Sequence, residues 1–473
     1  MAEGCFVSYE TAVAQMYALG HELGQTPTHK FDLAHMRVLL AALGHPERNF
    51  PSVLIAGTNG KGSTASTLAS ILQASDLKAG LYTSPHLVRI NERIRFNGAP
   101  IADDDFALLH DVVGRTAERL VGEGDLPWHP SFFEMLTAMA FEYFARSRPD
   151  MVVLEVGMGG RLDATNVVAP RLSIITDVSL DHQKYLGETV AEIAQEKAGI
   201  IRRDGVVVTL PQLAEANNVI GNAILDAGAR AVNAVPYVPP VSPGSAEFWE
   251  AANKGLTAID AERGAESAAK GARPKQRYPL QVMGEQIMVE SPLIGRHQLR
   301  NVALAIAAAV ELREQGFAQV TPSSIESGIR ETHWPGRFQV IAAEGDSPEY
   351  VLDVAHNPAG AWALRSTLSA AYDDRSTTLV FGVLRDKAMS EIAEILFPIA
   401  ERVIVTHANN PRSASTREIR QAAARVATEI SEVESTALAL AEAKGCAGPS
   451  GLVVITGSIY LVGEAMRTLG VRI

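Results

Sequence analysis

The sequence predicts two α/β domains, a larger first one on a mainly parallel sheet and a smaller, Rossmann-like second one. Three observations predict it. Short apolar runs alternate with stretches of helical spacing along most of the chain, the pattern of parallel strands joined by crossover helices. The 473 residues exceed what a single core serves, which stops growing at roughly 250–300 residues. His333-Trp334-Pro335-Gly336 then punctuates the alternation, and a fresh series of strands begins after it.

The first strong strand is 52–56 (SVLIA). A glycine follows it and 64–74 has helical spacing, so the order is strand, tight loop, helix. Apolar runs at 151–156, 172–176 and 206–210 are further strands, with helices over 190–200 and 213–227 between and after them. From 235 to 275 the pattern fails. VPPVSPGSAEF and the alanine, glycine, glutamate and lysine that follow keep no apolar face, so a flexible insertion is expected there. An alanine-rich helix over 298–312 belongs to the end of the first domain, 1–334. In the second domain, 335–473, strands are expected at 338–342, 350–354, 378–381, 402–406 and 452–456, with helices between them.

Composition narrows the function classes. Apolar residues at 47% and charged residues at 20% fit a soluble globular chain rather than a disordered one. No run reaches the ~18 apolar residues of a membrane span, and the first twenty residues lack the features of a secretory signal, so no membrane partner and a cytoplasmic location are expected. Cys5 and Cys446 are too few and too far apart in sequence for a disulfide framework or a cysteine-bound metal. A net charge of −12 without a basic run argues against a nucleic-acid partner, while leaving room for a small anionic substrate.

Gly57-Thr58-Asn59-Gly60-Lys61-Gly62-Ser63 leaves a strand and opens a helix. In that context backbone N–H groups and a helix N-terminus hold phosphate oxygens, and Lys61 adds charge at the β/γ-phosphates. The first domain is therefore of P-loop ATPase type, with a variant loop: Ile55 stands where the usual spacing places a glycine, and Gly62 separates Lys61 from Ser63. Glu155 ends an apolar strand beside glycines, where α/β sheets place ligand-contacting groups. Hard oxygen donors from Ser84 and Glu155, together with the His182 imidazole, suit a divalent ion that also touches nucleotide phosphates, best Mg²⁺.

The loop is followed in order by Thr83-Ser84-Pro85-His86-Leu87, Arg89-Ile90-Asn91-Glu92-Arg93-Ile94, Ser131-Phe132-Phe133-Glu134 and the run Glu155 to Asn166 (EVGMGGRLDATN). Asp181-His182 through Leu186-Gly187, Glu196-Lys197-Ala198-Gly199-Ile200, His297-Gln298 through Asn301, Pro335-Gly336-Arg337-Phe338 and Asp353-Val354-Ala355-His356-Asn357-Pro358 complete the series. This collinear set resembles the folylpolyglutamate synthase family of the Mur ligase superfamily over nearly the whole chain apart from 235–275.

The resemblance implies ATP as co-substrate, L-glutamate as the amine, and dihydropteroate or a reduced folate as the acceptor, joined through an acyl phosphate. Chains restricted to one acceptor remain open. A Mur-type peptidoglycan precursor ligase is disfavoured by Gly62 and by Ser84-Pro85-His86-Leu87. It also implies metal contacts at Ser84, Glu155 and His182, and ATP contacts at Asn301, Arg337 and Asp353, which would set the nucleotide in an interdomain cleft.

Thr28, Lys30, Asp32, Ser131, Phe132, Phe133, Glu134, Leu162, Asp163 and Ala164 correspond to the family's acceptor pocket, where aromatic walls and a carboxylate suit a pterin. Phe132 and Phe133, if on a strand, cannot both face it. His356 and Asn357 would contact phosphate or glutamate. Lys61, His182 and Lys197 are the catalytic candidates, and related enzymes carry a carbamylated lysine at the position of Lys197. A monomer is expected.

Overall fold

The computed structural model describes residues 7–20, 32–239, 275–372, 375–426 and 429–471. Thr28, Lys30 and nearly all of the expected 235–275 insertion lie outside them. The chain divides into two compact units, Met1–Tyr237 with Asn301–Gly328, and Val238–Arg300 with Ile329–Ile473. This differs from the sequential 1–334 and 335–473 division: residues 275–300 group with the second unit and 301–328 with the first.

The first unit holds β1 (Ser52–Ala56), β2 (Ala79–Tyr82), β3 (Ile94–Phe96), β4 (Ala99–Pro100), β5 (Met151–Glu155), β6 (Leu172–Ile175), β7 (Val206–Thr209) and β8 (Arg230–Asn233). They form one sheet in the order β4-β3-β2-β5-β1-β6-β7-β8. All neighbours from β2 to β8 are parallel, and β3 and β4 add an antiparallel edge. Every residue of β1, β2, β5 and β6 is buried. Helices covering both faces of a parallel sheet demand that, which is why β1, β5 and β6 read as unbroken apolar runs. The helix Phe132–Ser147 supplies Leu136, Met139, Phe141 and Phe144 to the same core as Leu54, Tyr82, Val152 and Leu154.

In the second unit, β9 (Gln276–Val282) and β10 (Glu285–Ser291) form an antiparallel hairpin. Met283 and Gly284 both have positive φ, the backbone of a two-residue turn whose twist matches the strands. This hairpin was not among the expected elements. Its signal was present, because Tyr278, Leu280 and Val282 alternate inward along β9. A six-stranded sheet follows: β11 (Gln339–Ile341), β12 (Glu349–Leu352), β13 (Thr377–Phe381), β14 (Arg402–Val405), β15 (Glu429–Glu432) and β16 (Leu452–Thr456), in the order β11-β12-β16-β13-β14-β15. Only β11 is antiparallel to its neighbour among these pairs. Among the described residues no helix is long and apolar enough to cross a membrane.

Candidate active site

The sheet order assembles the site. Because β2, β5, β1 and β6 are adjacent and parallel, the segments that leave their C-terminal ends emerge side by side along one edge. These segments carry Ser84, the 156–163 turn, the glycine-rich loop and His182.

The loop itself is fixed by its backbone. Thr58 and Asn59 donate their N–H groups to the Asp177 carbonyl, at 2.8 and 3.2 Å. The Thr58 hydroxyl donates to the Ser179 carbonyl (2.9 Å), and the Thr176 hydroxyl to the carbonyl of Asn59 (2.8 Å). Gly60 then takes φ +87° and caps the helix Lys61–Ala74. A side chain at Gly60 would meet strain and would overlap Oδ1 of Asn301, which packs directly on the loop from the helix Arg296–Glu314. Ser63 and Thr64 are buried in the first turn.

Two ammonium groups converge on one carbonyl. Lys61 Nζ donates to the Gly57 oxygen at 3.0 Å and to that of Thr58 at 3.3 Å, and Lys197 Nζ reaches the same Gly57 oxygen at 2.9 Å. Lys197 is 3% exposed near the end of the helix Val190–Ala198. Burial first and the neighbouring Lys61 second bring its pKa down from 10.5 to about 7, against the pull of Asp181 and Asp163.

Glu155, at the end of β5, is buried, and its Oε2 accepts the N–H of Ser84 at 3.2 Å. Ser84 and Glu155 are thus brought together at neighbouring strand ends. His182 stands at φ +52° ahead of the short helix Gln183–Leu186, its Nε2 lying 4.0 Å from Oδ2 of Asp181. Among the described residues no cluster of three or more His, Cys, Asp or Glu is assembled as a cation cage. A buried carboxylate bonded to the backbone of Ser84 nevertheless offers the kind of oxygen donor that Mg²⁺ takes when phosphates and water complete its shell.

Asp163 has both carboxylate oxygens engaged. Oδ2 accepts Met158 N–H at 3.0 Å, and Oδ1 accepts the N–H and hydroxyl of Thr165 at 3.0 and 2.5 Å. Burial raises its pKa above the ordinary carboxylate value despite those bonds. It therefore organises the turn between β5 and the segment Ala164–Val167, with Leu162 half-buried and Ala164 buried beside it.

The acceptor-side residues are arranged differently from the expectation. Ser131, Phe132, Phe133 and Glu134 begin a helix, not a strand, and Ser131 and Glu134 form its capping box. Glu134 Oε2 accepts the N–H and hydroxyl of Ser131, at 2.9 and 2.7 Å, while Oε1 lies 3.1 Å from His35 Nδ1. Asp32 caps the helix Leu33–Ala42 through the N–H of Ala34. Phe132 is a core residue, stacked on Tyr17 and lying over the guanidinium of buried Arg93. Phe133 is half-buried and covers Gly157 so closely that a Cβ there would stand 2.5 Å from its ring. Of the two aromatics, Phe133 is the one next to the glycine turn that follows Glu155.

Residues that the motifs alone did not single out support this region. Arg93 Nε donates to His86 Nδ1 at 2.9 Å, and His86 Nε2 meets the Tyr17 hydroxyl at 3.1 Å. His86 and Arg93 stand in two of the quoted motifs, so their positions were on view although their roles were not.

In the second unit Asp353 follows β12. Its oxygens accept the N–H groups of Phe338 and Ala355, at 2.8 and 2.9 Å, and burial raises its pKa while Arg337 opposes the rise. Arg337 lies over the Trp334 ring. His356 Nδ1 is 2.8 Å from the Val354 carbonyl, and Asn357 caps the helix Pro358–Ala371 by accepting from Gly360 N–H. Asn357 thus has a structural duty that accounts for its place at the helix start.

Residues 336–459 match the model of the Mur ligase glutamate ligase domain. The chain is 32% identical over 438 residues to the dihydrofolate synthase/folylpolyglutamate synthase of Bacillus subtilis, covering 92% of this chain and 94% of that one. It is 33% identical over 464 residues to the folylpolyglutamate synthase of Lacticaseibacillus casei, covering 98% and 99%. The crystal structure of Mycobacterium tuberculosis folylpolyglutamate synthase complexed with ADP and AMPPCP superposes with a TM-score of 0.82 at 31% identity, covering 98% of this chain and 99% of that one. With a phosphate-type loop beneath two lysines, a buried carboxylate at the adjoining strand end and likeness along its whole length, the chain belongs to the folylpolyglutamate synthase/dihydrofolate synthase family of ATP-dependent ligases.

Proposed function

We propose that the protein joins the amino group of L-glutamate to the carboxylate of dihydropteroate and of reduced folates, with ATP converted to ADP and phosphate through an acyl phosphate. The observation that most supports this is the convergence of Lys61 and Lys197 on the Gly57 carbonyl at the strand edge that also carries Glu155. A carboxylate condenses with an amine only after its oxygen becomes a leaving group. Phosphoryl transfer to it needs positioning and charge neutralisation more than a protein nucleophile.

In this reading the loop N–H groups and Lys61 hold the γ-phosphate, and the acceptor carboxylate attacks it in line. The glutamate amine then attacks the acyl phosphate and expels phosphate. Asn301 steadies the loop, and Arg337 and Asp353 bind other parts of the nucleotide. Ser84, Glu155 and His182 would hold Mg²⁺, which when bound neutralises phosphate charge. Phe133, Leu162 and Ala164 wall the pterin, and His356 serves the glutamate side.

Lys197 is read as the site of a carbamate. Burial that lowers its pKa to about 7 leaves a good fraction of it as the neutral amine that attacks CO₂. The exposed thiol of Cys446 fits a reducing, cytoplasmic setting. The reading of two acceptors follows the double name of the Bacillus subtilis relative. It is tested by measuring phosphate release with glutamate and either dihydropteroate or a reduced folate. Release dependent on glutamate with both is expected, release with one restricts the enzyme to that step, and release with neither refutes the reading.

A further inference from the structure

His35 is flanked by two groups that can only accept. Its Nδ1 lies 3.1 Å from Glu134 Oε1 and its Nε2 lies 3.0 Å from the backbone oxygen of Trp128. A carbonyl oxygen has no proton to give. Nor has Glu134: its second oxygen already accepts from the N–H and hydroxyl of Ser131, and although burial pushes its pKa up, His35 and Ser131 outweigh that and hold it below the ordinary value. A neutral imidazole has one N–H, so it would leave one of these contacts as two facing lone pairs. Both ring nitrogens must donate.

We propose that His35 is a positioning residue for the acceptor, held as an imidazolium that ties the segment leading into Phe132–Ser147 to the helix Leu33–Ala42 and so sets the Phe133 ring over Gly157. The chain of contacts is short. His35 bonds Glu134, Glu134 caps the turn that contains Phe133, and Phe133 covers the glycine two residues after Glu155. The indole of Trp128 stacks on the imidazolium, with ring centroids 5.5 Å apart and planes 22° apart, an arrangement that favours a cation.

The surrounding charges agree in sign. Glu134 and Asp32 act on His35, and both raise its pKa above the ordinary 6.5, the Glu134 hydrogen bond most strongly. The neighbouring helix Asp103–Glu123 carries His110, which burial and then His129 push towards the neutral form. Asp163, ahead of the turn Ala164–Val167, is engaged by Met158 and Thr165. Because the folded value is raised, the clamp is complete below the ordinary pKa and is lost as pH rises through the raised one.

The inference rests on the reading of Phe133 as an acceptor wall, and the experiment separates the two. Histidine-selective ¹⁵N labelling, with His35 assigned by its loss in His35→Gln, should show both ring nitrogens protonated at pH 7. Glu134→Gln, which removes the charge, should return His35 towards ordinary titration, and it serves for assignment if His35→Gln does not fold. In His35→Gln the KM for dihydropteroate or reduced folate should rise about tenfold, the order expected for one lost charge-assisted hydrogen bond, with the KM for ATP unchanged within about twofold. A neutral His35 ring at pH 7, or KM values for acceptor and ATP that move together, overturns the proposal. Absence of ligation with any acceptor strikes the functional reading instead, and the ring-nitrogen spectrum still decides the state of His35.

Discussion

The phosphate loop and the segment around Trp128–Glu134 belong to the same unit and are stabilised by different chemistries. The loop is tied through its backbone and the Thr58 hydroxyl to the carbonyls of Asp177 and Ser179, and Lys61 and the neighbouring Lys197 point at a carbonyl rather than a carboxylate. Those bonds join amide and hydroxyl groups to carbonyls, and the proposed reading leaves the charge of Lys61 for an incoming anion. The other segment is tied by ionised side chains, His35 with Glu134 and Glu134 with Ser131. There Asp32 and Glu134, both expected at the acceptor, cap helices. On the proposed reading, recognition of the acceptor falls mainly to shape and to the Phe133 face that lies against Gly157.

The sharpest way to break this contrast is Lys61→Ala. If Lys61 holds the transferred phosphate as proposed, loss of its charge should lower kcat about a thousandfold. The melting temperature should stay near that of the parent, since the lysine is only half-buried and, among the described residues, bonds the carbonyl oxygens of Gly57 and Thr58. A variant that fails to fold would show that the loop depends on its lysine as the other segment depends on His35, and an active variant would remove Lys61 from the proposed chemistry.

Lys197→Ala should cost less, about a hundredfold. Partial recovery with added short carboxylic acids would point to a lysine-borne anion, and undiminished activity would remove Lys197 from the mechanism. The same variant has a signature in stability. Between about 7 and 10.5 the unfolded parent holds a proton on Lys197 that the folded parent lacks, so this group makes stability increase as pH rises through that window. Chemical denaturation across that range should show the increase in the parent and its loss in the variant.

The smallest effect on turnover is expected from Asp163→Ala. Three bonds to Met158 and Thr165 disappear, so stability should fall by roughly 1–3 kcal/mol. The acceptor KM should rise more than the ATP KM, because the loosened turn adjoins Phe133. Equal rises in steady-state assays would confine Asp163 to a structural role.

How much of this was legible follows from where the information sits. β1, β5, β6, β13 and β16 could be read to within a residue or so because strands buried on both faces leave continuous apolar runs. β8 and β15 could not. Arg230–Asn233 and Glu429–Glu432 lie at sheet edges, largely exposed, and only their neighbours' registers make them strands. The phosphate loop was legible because one contiguous heptapeptide carries it. His35 was not, because its partners stand 93 and 99 residues away. The capping box at Ser131 and Glu134 is legible as a Ser-x-x-Glu pattern, although the resemblance placed both residues at the acceptor.

The central claim is that ATP activates the acceptor's own carboxylate. It is tested most directly by labelling that carboxylate with ¹⁸O and following the label while glutamate is ligated. If the carboxylate attacks the γ-phosphate and the amine later displaces phosphate, each amide formed should release one inorganic phosphate carrying one ¹⁸O from the acceptor, with ADP as the only nucleotide product. Unlabelled phosphate alongside labelled AMP, or amide formed with no transfer of label to phosphate, would contradict it.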